Sequence, residues 1–177
     1  MANEVLLKQE RNAWSVLLKA AAEGTTDGNA HVIAAGTADV LQVNDLNKML
    51  TRYKRINQAL GASTASASDV AGLTDLFMSP EMTEQIRAFA YQPQNTRATP
   101  NTDESTAMPL PDSVREKIFS AAGYPEIYGL AIHELAELGT GKKYNVLFDV
   151  YYTGTFVAAS DEVVIGADLT RDFAIRP

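Results

Sequence analysis

Apolar and polar positions in the first sixty residues recur with a helical period. Between residues 4 and 23, Leu6, Leu7, Ala13, Trp14, Leu17, Leu18 and Ala21 fall on one side, and Glu4, Lys8, Arg11, Ser15, Lys19 and Glu23 on the other. That is the stripe of a helix with 3.6 residues per turn, and Gly24 supplies its stop. "GTTDGNA" then reads as a turn, "HVIAA" as a short strand and "GTAD" as a second turn. A second helix follows, capped by Asn44 or Asp45, with Leu46, Met49, Leu50, Tyr53 and Ile56 at helical spacing.

Residues 61–70, "GASTASASDV", are too small and polar to bury much surface, so they predict a loop or linker. "DLFM" reads as extended and buried, and a helix is predicted from Pro80 to about Ala90. Ser79 offers a hydroxyl to the orphan amides, Pro80 suits the first helical position, Glu81 and Glu84 favour the positive end, and Arg87 the negative end. Met82, Ile86 and Phe89 should face inward. Residues 91–113 hold four prolines among polar side chains and predict a long loop. Asp112 or Ser113 should cap a short helix, "VREKIFSAAG". Beyond it the period changes to two, so "EIYGLAIHEL", "KYNVLFDVYY", "TFVAA" and "EVVIGADL" read as strands. No internal repeat is present, and strands do not alternate regularly with helices. The expectation is an α+β chain, helical in its first half and mainly antiparallel sheet in its last third.

Composition narrows the classes. The chain has 177 residues, 46% of them hydrophobic and 21% charged, which suits one domain with a sizeable core. It contains no cysteine, which removes disulfides and thiolate metal sites. The apolar runs fall short of the roughly 18 residues of a membrane span, and the start carries no basic flank of a signal peptide. A soluble, untargeted chain with no membrane partner is expected. Net charge is −7, and residues 1–60 hold seven basic against six acidic side chains, so the acidity belongs to the remainder. Such a surface repels phosphate backbones and argues against sequence-specific nucleic-acid binding. The basic side chains Lys48, Arg52 and Arg55, with Lys54 beside them, share a helix face. This reads as a solvated or partner-facing surface.

Candidate chemistry is thin. Ser79 does not sit in a nucleophile elbow, which needs Gly-x-Ser-x-Gly where this chain has Met78 and Pro80 as neighbours. An N-cap explains it better. "HELAELGTGKK" approaches the zinc motif His-Glu-x-x-His, but Glu137 stands where the second histidine belongs, and the other histidine, His31, is distant in sequence. In a strand, moreover, His133 and Glu134 would point to opposite faces. A metal-dependent hydrolase using His133, Glu134 and Glu137 is the enzymatic alternative. "GTGKK" lacks the earlier glycine and the final Ser or Thr of a phosphate loop, and Asp161, Glu162, Asp168 and Asp172 lack calcium-loop spacing. The expectation is therefore of no catalytic, cofactor-binding or metal-ligating residues.

The ordered segments "LTDLFMSPEMTEQIR", "REKIFSAAG", "IYGLAIHELAELGTGKKY" and "VVIGADLTRDFAIRP" resemble the major capsid proteins of tailed bacteriophages, particularly contractile-tailed ones. The resemblance covers roughly residues 73–177. It implies an HK97-like subunit, with residues 1–60 holding the end of a spine helix and the start of an axial domain, and residues 61–177 an axial-domain-like α+β region. The amino-terminal arm, the extended loop and the last carboxyl-terminal strands have no counterpart, so the resemblance is to a shortened subunit or an axial-domain fragment. It further implies a structural protein of the virion, made in the bacterial host cytoplasm. Its partners would be copies of itself in pentameric and hexameric capsomers, together with other virion proteins, and it would hold no cofactor. Another non-catalytic virion or binding module is the remaining alternative.

Overall fold

A short, strongly apolar strand organises the chain. In the computed structural model, which describes residues 2–26, 29–37, 40–60, 72–89, 111–120 and 126–169, the elements run α1 (Ala2–Glu23), β1 (Thr25–Thr26), β2 (Asn29–Ala30), α2 (Val43–Leu60), β3 (Asp75–Met78), α3 (Pro80–Ala88), α4 (Asp112–Ser120), β4 (Glu126–Ile127), β5 (Leu130–Glu134), α5 (Lys143–Tyr151) and β6 (Ile165–Ala167). The predicted linker at 61–70 and nearly all of the predicted loop at 91–113 lie outside the described residues. So does the terminal segment from residue 170 onward.

β3 is the "DLFM" stretch. It pairs in parallel with β5, matching Leu76 with Ile132 and Phe77 with His133, and antiparallel with β6 on its other side. β4 adds to the far edge of β5, giving the order β4-β5-β3-β6. Alternation along each strand sends successive side chains to opposite faces. On one face Leu76, Met78, Leu130 and Ile132 join Val43 and Leu46 of α2 and Met82 and Ile86 of α3 in a buried cluster. On the other, Phe77 meets Trp14 and Leu18 of α1, Tyr144 and Phe148 of α5, and Leu138. Helices thus cover both faces of a mixed sheet, and the fold is α+β. Removing a fully buried side chain such as Leu76 or Ile132 would cost about 2–5 kcal/mol.

Several local expectations hold. α3 starts behind Ser79, whose Oγ accepts the Met82 N–H at 3.2 Å, and it buries Met82, Ile86 and Phe89. In α2 the cap position falls on Gln42 rather than on Asn44 or Asp45, which lie inside the helix; Asp45 instead accepts the Gln42 N–H at 3.3 Å and the Gly36 N–H at 3.0 Å. That is the reach-back of an acid at the third helical position.

Other expectations are corrected. "HVIAA" is not a strand; the hairpin lies before it, pairing Thr25 with Ala30 and Thr26 with Asn29. "EIYGLAIHEL" is two strands rather than one, turning at Tyr128 and Gly129, whose φ angles of 55° and 77° are both positive. Positive φ at both central positions marks a type I′ turn, whose twist matches that of the flanking strands. "KYNVLFDVYY" is the helix α5. Its aromatic residues suit a strand, but Tyr144, Phe148 and Tyr152 also repeat every four residues, and α1 gives that stripe a surface to pack on. "TFVAA" forms turns, and of "EVVIGADL" only Ile165–Ala167 is strand. The sheet is mixed rather than mainly antiparallel, because its two central strands are parallel. Asp112 is the first residue of α4 rather than its cap, and the Pro111 carbonyl accepts the Arg115 N–H.

Candidate functional site

The residues singled out from "HELAELGTGKK" do not converge. His133, near the end of β5, points toward the α1/α5 layer, stacks on Phe77 at 4.9 Å and places Nε2 2.7 Å from Asp75 Oδ1. Glu134 faces the opposite way and pairs with Arg87 at 3.8 Å. Glu137, in the turn that follows, accepts from Lys143 Nζ at 3.0 Å. Three acceptors of one metal would have to point at a common centre; here each has its own intramolecular partner. Among the described residues no group of three His, Asp or Glu side chains is placed to hold a metal ion. His31 lies over Gly24 at the end of α1, so close that a Cβ there would meet the ring.

Sequence reasoning missed Asp75, the polar member of an otherwise apolar strand. It is buried, accepts the Thr74 hydroxyl on Oδ2 and faces His133 with Oδ1. Burial works to raise its carboxyl, but the hydrogen bonds of Thr74 and His133, the charge of His133 and the Leu169 N–H outweigh it and hold the carboxyl below its ordinary value. The Thr74 hydroxyl in turn accepts the Leu169 N–H at 3.0 Å. The group ties β3 to β5 and to the chain leaving β6. Its signal in the sequence was a lone acid at a strand start, which periodicity alone does not distinguish from a surface residue.

A second polar centre joins two segments that sequence reading kept apart. "GTGKK" leads into α5 rather than between strands. Gly139 and Gly141 have φ of 129° and 69°, and a Cβ on Gly139 would stand 3.3 Å from the Ser79 Cβ. These glycines let the loop fold against the start of α3. The loop's donors are met from within the chain: Gly139 N–H by Asn145 Oδ1 at 3.0 Å, Thr140 N–H by Glu162 Oε1 at 3.1 Å, and Gly141 N–H by the Ala158 carbonyl. The other Glu162 oxygen accepts the Ser79 hydroxyl at 3.0 Å, and Oε1 also accepts the Thr140 hydroxyl at 2.7 Å. Asn145, fully buried, donates onward to the Asp161 carbonyl at 2.8 Å. An anion here would compete with the protein's own carboxylate, so the loop works as a clasp. In the sequence alone Glu162 stands out only as one of four acids that lack calcium-loop spacing.

Ser79 is therefore a helix cap whose hydroxyl hydrogen is given to Glu162. On the basic face, Lys48 pairs with Asp45 at 3.4 Å, Arg52 is half-buried, and Lys54 and Arg55 are exposed. The described helices contain none long and apolar enough to cross a membrane. No protein-family model, curated protein or solved structure matches the chain.

Proposed function

We propose that the chain is a structural subunit of a bacteriophage capsid shell, acting through symmetric contacts with copies of itself. One observation carries the reading. The segments on which the capsid resemblance rests, "LTDLFMSPEMTEQIR" and "IYGLAIHELAELGTGKKY", are neighbours in space, paired in register from Asp75–Ala131 to Met78–Glu134 and clasped through Ser79, Glu162 and Thr140. Asp75, Ser79, Thr83, Arg87, His133, Glu134 and Glu137 in these segments each make a contact within the fold. A shell subunit needs that kind of rigidity and no reacting groups. The α+β body suits the axial-domain-like part of an HK97-like subunit, and the polar surfaces around it would meet neighbouring subunits in capsomers. On this reading the chain works in the virion, after synthesis in the host cytoplasm.

The test is negative-stain electron microscopy of the chain expressed in bacteria together with the coding sequence that flanks it. Closed shells or sheets of hexameric capsomers are expected. Monomers and small oligomers at every concentration and salt would overturn the reading. Stoichiometric zinc by elemental analysis, lost on His133→Ala, would revive the hydrolase built on His133, Glu134 and Glu137.

A further inference from the structure

We draw no further inference here: the strongest candidate, the outer face of α5 where Val146 and Val150 stand one helical turn apart and exposed at 48% and 73%, is a small apolar patch, and nothing in the structure shows what covers it.

Discussion

Ser79→Ala removes two hydrogen bonds from a side chain that is fully buried. The cap to the Met82 N–H is worth about 1 kcal/mol, and the hydroxyl given to Glu162 at 3.0 Å adds about 1–2 kcal/mol because its acceptor is charged. The variant should thus lose about 2–3 kcal/mol. For a domain of this size that lowers the melting temperature by roughly 4–12 °C, and it lowers the urea midpoint with no change in slope. Ser79→Asp separates the two roles. Aspartate caps a helix as well as serine does, so a pure cap would tolerate it. Here it would set a second carboxylate against Glu162, and we expect it to be the more damaging change. The decisive assay is a double-mutant cycle between Ser79→Ala and Glu162→Ala, followed by urea unfolding. A coupling energy of about 1 kcal/mol is expected. Additivity within about 0.3 kcal/mol, or a benign Ser79→Asp, would show that the α3 start and the "GTGKK" loop are not clasped together and would refute the reasoning.

The β4–β5 turn places Tyr128, an exposed aromatic residue, at φ 55°, where asparagine is favoured. Tyr128→Asn should raise stability by up to about 1 kcal/mol in urea, and a loss would mean that the ring packs rather than merely tolerates the turn. Asp75 titrates below its ordinary value of 3.8 in the folded chain. Its contribution is present above that pH and fades as pH falls through the lower folded value, because the unfolded chain binds the proton first. Asp75→Asn should accordingly flatten the acid limb of a stability profile below about pH 4, and an unchanged limb would put acid sensitivity elsewhere. The Tyr144 hydroxyl is pushed up to about 12, chiefly by burial and then by the charges of Glu137 and Glu10. Stability tied to it is full below pH 10 and declines as pH rises toward 12, since the folded chain keeps a proton that the unfolded chain has released. Tyr144→Phe should remove that decline, and one late-ionising tyrosine should vanish from the absorbance titration at the alkaline end.

What could be read from the chain divides along the range of the interaction responsible. The start of α3 was legible because every residue that makes it lies within a few positions: Ser79 caps, Pro80 fits the first turn, and Met82 and Ile86 share the buried face. α5 was misread because its residues satisfy two periods. Tyr144 and Phe148 serve a helix, with Tyr152 just past its end, yet the same run is rich in the β-branched and aromatic residues that favour strands, and only the distant surface of α1 decides between them. The polar centres were hidden for a related reason. Asp75 and His133 are 58 positions apart and Ser79 and Glu162 are 83 apart, so each pair exists only once β3 has settled between β5 and β6. The near-miss motif carries the same lesson in reverse: "HELAE" lies continuous in the chain, but strand geometry sends His133 toward Asp75 and Glu134 toward Arg87. Adjacency in sequence gave it the look of a site. The fold turns its members into separate ties, one between neighbouring strands and one between strand and helix.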